Sequence, residues 1–132
     1  MSYFSKFFTA AALALPLSVV HAAPTYLITH NNTDVESNAY IDGTRPSPCP
    51  SKAHDTNTVA WIIVQMACLS KASTGKCTAV IKMETNTKTP VTVGTVELTL
   101  ADGTIQPQSL VANGYRMTVN GPAEITLDKI TR

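Results

Sequence analysis

Four Asx-Gly dipeptides constrain this chain more than any other feature: Asp42-Gly43, Asp102-Gly103, Asn113-Gly114 and Asn120-Gly121. Asn and Asp tolerate positive φ, glycine adopts it freely, and the pair favours tight turns between antiparallel strands. The runs between such breaks alternate apolar and polar residues with period two. They are Tyr26–His30, Val35–Ile41, Val59–Leu69, Cys77–Glu84, Val91–Leu100, Tyr115–Val119 and Glu124–Leu127. Seven short strands separated by turns predict an all-β fold, a single antiparallel β-sandwich that is Ig-like or similar. No amphipathic helix is expected after the leader.

The leader is the first 22 residues. Lys6 gives a positive n-region, Phe7–Val20 is apolar and uncharged, and Val20-His21-Ala22 places small residues where a signal peptidase reads. The apolar run is shorter than the roughly 20 residues a membrane-spanning helix needs. Residues 1–22 therefore read as a cleaved signal peptide and residues 23–132 as one β-sandwich domain, secreted or periplasmic, with no membrane span in the mature chain. Lys6 leaves with the leader, so nine basic and nine acidic residues remain and the formal charge is zero. A neutral chain without a basic cluster excludes nucleic acid as the natural partner.

Strand faces are legible in places. Cys77, Ala79, Ile81 and Met83 share one parity and should face the core, as should the odd positions of Tyr115–Val119. In Val91–Leu100 the apolar parity changes at Gly94, which predicts a β-bulge there. Val59–Leu69 is apolar on both faces and reads as a central strand covered on both sides. Asp42–Asn57 carries Pro46, Pro48 and Pro50 and reads as a long irregular loop.

Three cysteines, Cys49, Cys68 and Cys77, enter an oxidising compartment on export. Cys68 and Cys77 fall on the core parity of consecutive runs joined by a small polar loop. That predicts a Cys68–Cys77 disulfide, with Cys49 joined to either one as the rival pairing. An unpaired Cys49 is available to join two copies into a dimer.

Nothing in the pattern assembles chemistry. Cys49 lies five residues before His54, but a proline-rich loop is a poor support for a nucleophile pair. Asn31, Asn32, Asp34 and Glu36 supply oxygens without the spacing or glycine of a calcium loop. His30 and His54 lack zinc-site spacing. Asn31-Asn32-Thr33 matches a glycosylation acceptor. The reading is no catalytic residue, no metal and no cofactor. What stands out is a candidate interaction surface: Arg45, Cys49, His54 and Asp55 on the long loop, with Trp61 and Ile63 just beyond it. The bland alternative makes Trp61 a core aromatic and the loop a cover over its face.

From Ile28-Thr29-His30-Asn31-Asn32-Thr33 to Val119-Asn120-Gly121-Pro122, nearly the whole mature chain resembles small exported β-domain proteins of intracellular gammaproteobacteria. The resemblance implies periplasmic or extracellular placement and a role at a host interface. It implies no catalytic or binding residues. The expected function is an exported, non-enzymatic binding module at a host or envelope interface, with a protein or glycan partner. A self-assembling envelope subunit and a small hydrolase are the alternatives.

Overall fold

A computed structural model describes residues 22–130. The segment expected to be a signal peptide lies outside the described residues except for Ala22. Two five-stranded sheets face each other across the apolar core. The strands in chain order are β1 Tyr26–Asn31, β2 Ser37–Ile41, β3 Arg45–Pro46, β4 Asp55–Ala60, β5 Lys76–Met83, β6 Val91–Thr99, β7 Ile105–Gln106, β8 Ser109–Ala112, β9 Tyr115–Gly121 and β10 Glu124–Lys129. One sheet runs β4-β1-β10-β9-β8 and the other β3-β2-β5-β6-β7. The sandwich expected from the turn pattern is present. It is not purely antiparallel, because β1 and β10 pair in parallel through Ile28–Glu124 to Asn31–Leu127. Turn chemistry reports neighbours in sequence, and this pairing joins the two ends of the domain.

The parity argument holds on β5, where Cys77, Ala79, Ile81 and Met83 are all buried. Tyr115 and Met117 are buried on β9. The bulge falls where expected: the β5–β6 register shifts between Ile81, opposite Gly94, and Lys82, opposite Thr92. Val93 and Val96 thereby reach the same core. A Cβ on Gly94 would lie 2.8 Å from Leu110 Cδ2 on β8, so a larger residue there would have to displace that side chain.

The run Val59–Leu69 is not one central strand. β4 begins at Asp55, inside the segment expected to be loop, and ends at Ala60 on the edge of its sheet. The chain then turns into a helix, α1, over Trp61–Ala67, followed by a 3-10 turn at Leu69–Lys71. An edge strand between two sheets has one covered face, so a segment apolar on both would leave half its side chains in water. Helical winding places Trp61, Val64 and Cys68, spaced i, i+3 and i+7, on one face. All three are buried, while Ile62, Ile63 and Met66 are exposed.

The expected loop is more ordered than its prolines suggested. Arg45–Pro46 adds a two-residue edge strand to β2, a position where proline's missing donor costs nothing. Ser51 exchanges backbone hydrogen bonds with Ser37 at 2.7 and 2.9 Å. The loop thus crosses from one sheet to the other along their shared edge.

Candidate functional site

Cys68 and Cys77 are bonded, with their Cα atoms 5.8 Å apart, and Cys49 is free and half-buried. The bridge fastens the end of α1 to the start of β5, so the helix spans from one sheet to the other. The proline loop makes the same crossing nearby. Arg45 ties the two together: its guanidinium lies 3.6 Å from the Asp42 carboxylate and donates at 3.4 Å to the carbonyl of Ala67.

Between these two crossings the interior opens. A cavity of about 120 Å³ lies between the sheets. Pro48 on the loop and Ile63 on α1 are the exposed residues of its wall and mark its mouth. Cys49 and Ala67 line it just inside. Its depth is walled by Leu27 and Val59 on one sheet and Ile81 and Leu98 on the other. Polar side chains of the wall are already engaged. Asn38 Nδ2 donates to the Ser47 carbonyl at 2.9 Å, and Ser47 Oγ donates to Asn38 Oδ1 at 2.7 Å. Ser37 Oγ donates to the Lys82 carbonyl at 2.9 Å, and Asn57 Nδ2 to the Cys49 carbonyl at 3.1 Å. Among the described residues lining the cavity none is acidic or basic.

The residues singled out from the sequence divide. Arg45, Cys49 and Ile63 gather around the mouth. Trp61 is 4% exposed and belongs to the core, its indole N–H donating to the Leu100 carbonyl at 3.2 Å. His54 and Asp55 are exposed further along the loop. His54 sits at φ 54° and uses its backbone N–H on the Thr33 carbonyl, while the Asp55 carboxylate accepts the Thr56 N–H. No hydrogen bond among the described residues joins Cys49 to His54. The oxygens weighed and set aside as calcium ligands include groups that serve the fold: Asn31 Oδ1 accepts from the backbone and hydroxyl of Thr33, and Glu36 accepts the Thr85 hydroxyl. Asn31 is 1% exposed, so the glycosylation match falls on a side chain buried in the folded domain.

Two features escaped the sequence reading. One is the set Ile62, Met66 and Leu69, exposed by 61%, 66% and 70% on α1 and the turn after it. Reading the segment at helical spacing from Trp61 would have found them. The other is a row on the outer face of the β4-β1-β10 sheet. His30 Nε2 lies 2.7 Å from the Glu124 carboxylate, and the Thr56 hydroxyl lies 3.1 Å from Nδ1. The order hydroxyl, imidazole, carboxylate is that of a hydrolytic triad. It lies on an open sheet face rather than in a cleft, and the His30 and Glu124 side chains are 35% and 39% exposed. Such triads work where water is excluded and donors await an oxyanion.

A disulfide-clasped sandwich with an apolar interior cavity defines a small secreted β-domain, of a kind that carries its function in loops and clefts rather than in its scaffold. The family described as the T2SS substrate NttC matches residues 1–130, and the chain belongs to that family. The crystal structure of the Legionella pneumophila type II secretion system substrate NttC is similar, with 48% sequence identity and a TM-score of 0.79 over 81% of this chain and 99% of that one. No curated protein matches the chain. The protein is a secreted one, as its leader predicts.

Proposed function

We propose that the protein works outside the cell as a non-enzymatic binding module, which holds a protein or glycan partner against the face built from α1 and the proline loop. One observation carries the reading. Ile62, Ile63, Met66 and Leu69 are four large apolar side chains left exposed on one short helix and its following turn. Single exposed apolar residues are ordinary, but a cluster marks a surface that is covered in use. The adjoining loop is stiffened by Pro46, Pro48 and Pro50, which lowers the entropy lost when a partner holds it. The disulfide fastens the helix to β5, and Arg45 reaches from the loop to the Ala67 carbonyl of the helix.

Self-assembly through the edges of the β3-to-β7 sheet is less well supported. Both edges of the β3-to-β7 sheet are two residues long, and one contains Pro46. Short edges and proline resist strand addition. The labelled mature domain should bind saturably to one of two surfaces, bacterial envelope or eukaryotic cell. The triple variant Ile62→Ser, Met66→Ser, Leu69→Ser should weaken binding at least tenfold, and His30→Ala should leave it unchanged. Full binding by the triple variant would remove this face from the proposal. Turnover of a substrate that His30→Ala abolishes would replace binding with hydrolysis.

A further inference from the structure

The interior cavity is mostly apolar, but one corner of its wall is not. Thr29 on β1 and Ser51 on the proline loop both line it, and neither hydroxyl makes a hydrogen bond among the described residues. The corner is built by two amides. Asn57, directly across from Thr29, donates to the Cys49 carbonyl at 3.1 Å. Asn31, the next inward-facing residue of β1, donates to the Ser51 carbonyl at 3.3 Å. Ser51 is only 6% exposed. A side chain so buried ordinarily finds a partner for its hydroxyl, and one without a protein partner marks a place for water or a ligand.

The rest of the wall limits what can enter. The side-chain donors of Ser37, Asn38, Ser47 and Asn57 are committed within the protein. No side chain of the wall is acidic or basic, so a charged group drawn inside would lose its hydration without a counter-ion. Volume sets the size. An apolar cavity of roughly 150 Å³ takes a molecule of benzene. On that scale the cavity of about 120 Å³ takes about five non-hydrogen atoms. Ala39, Ala67 and Ala79 keep this space, since larger side chains at these wall positions would fill it.

We propose that the cavity binds a small neutral alcohol with a compact hydrocarbon body of about four carbons, its hydroxyl on Thr29 and Ser51. Leu27, Val59, Ile81 and Leu98 face the hydrocarbon. An alcohol oxygen donates and accepts, as does each hydroxyl it meets, so all three can be satisfied together. The hydrophobic effect supplies the affinity, and the two hydroxyls select an alcohol over a hydrocarbon of the same size. The site lies between the sheets and does not depend on the binding face proposed for α1.

The test titrates the oxidised mature domain with 2-methylpropan-1-ol, and separately with 2-methylbutane, which replaces the hydroxyl by a methyl group. Methyl NMR follows both. Binding of the alcohol should saturate and shift the methyl groups of Leu27, Val59, Ile81 and Leu98. Thr29→Val keeps the shape of the side chain and removes its hydroxyl. It should weaken the alcohol about fivefold, the worth of one hydrogen bond, and leave the hydrocarbon unchanged. Ser51→Ala should do the same, which keeps the test open if the β1 variant does not fold. Protonated 2-methylpropan-1-amine should bind roughly tenfold more weakly than the alcohol. 1-Adamantanol carries the same group on a body too large for the space and should not bind. Binding of either control as tight as that of the alcohol would overturn the proposal. So would shifts confined to Ile62 and Met66, or equal losses of alcohol and hydrocarbon in both hydroxyl variants. Absence of saturable binding would mean that water serves the two hydroxyls, and would overturn it too. Ile62→Ser with Met66→Ser lies outside the cavity wall and should leave the alcohol's affinity unchanged, so this site and the α1 face fail separately.

Discussion

The indole N–H of Trp61 donates to the backbone carbonyl of Leu100 across 3.2 Å, joining the first residue of α1 to the chain just past β6. The two belong to opposite sides of the sandwich in topology: α1 continues from β4, and Leu100 follows the penultimate strand of the other sheet. The contact therefore helps fix where the helix crosses the core. Trp61→Phe keeps an aromatic ring but removes the donor and leaves a small void. It should cost about 2 kcal/mol. Chemical denaturation followed by far-ultraviolet circular dichroism checks this, because the variant has lost the sole tryptophan of the chain.

The Cys68–Cys77 bridge closes a short loop, with nine residues of sequence separation. On the chain-entropy account its removal destabilises by roughly 2–3 kcal/mol. Cys68→Ala with Cys77→Ala should lower the unfolding free energy by that amount. Under non-reducing conditions, peptide mapping of the secreted protein should recover Cys68 and Cys77 in one linked fragment with Cys49 open to alkylation. Linkage through Cys49 would contradict the pairing.

Legibility followed how many faces of a segment are covered. β5 has one buried face, and its alternation from Cys77 to Met83 gave both the strand and its orientation. β6 was readable through its defect, since the parity change at Gly94 has few explanations besides a bulge. α1 could not be read. It has no side-chain N-cap, no acid in its first turn and no base in its last. Its sequence is apolar at both strand and helix spacings, so periodicity could not choose between them. The disulfide pairing was right, but only Cys77 was buried for the expected reason: strand parity grouped Cys68 with Ile62 and Met66, which are exposed, whereas helical spacing from Trp61 and Val64 is what buries it. The parallel β1–β10 pair and the cavity were not legible, because each arises from assembling distant segments. The mouth was legible only in part: Arg45, Cys49 and Ile63 stood out, but Ala39 and Ala79 look like ordinary core positions until the void beside them is seen.

Tyr115 gives the domain an alkaline limit. Its hydroxyl donates to the Glu84 carboxylate at 3.0 Å. Burial first, then this hydrogen bond and the charge of Glu84, with a contribution from Asp34, push its pKa from 10.0 up to about 12. The folded domain holds the phenolic proton more tightly than the unfolded chain does. The resulting stability is fully present below pH 10 and lost as pH rises from there through 12. Tyr115→Phe should lose about 1 kcal/mol at neutral pH and show a flatter profile across that window. Paired denaturation curves at pH 8 and at the alkaline end measure both.

The apolar residues of α1 raise a question that stability can answer: whether they are there to fold the domain or to be used by it. Val64 is 8% exposed and packs in the core with Trp61 and Cys68, whereas Ile62 and Met66 project into water on the same helix. A seven-residue helix without caps has little intrinsic stability, so its docked face and the following disulfide must hold it. Val64→Ala removes two buried methyl groups and should cost about 2 kcal/mol. Ile62→Ser and Met66→Ser remove only exposed surface and should each change stability by less than about 0.5 kcal/mol. If so, folding does not account for isoleucine and methionine at these positions. Two large side chains would then remain exposed for a reason outside the fold, as a binding face requires. A loss near 2 kcal/mol from either serine variant would mean that these side chains stabilise the domain, and the α1 face would lose its strongest support as a contact surface.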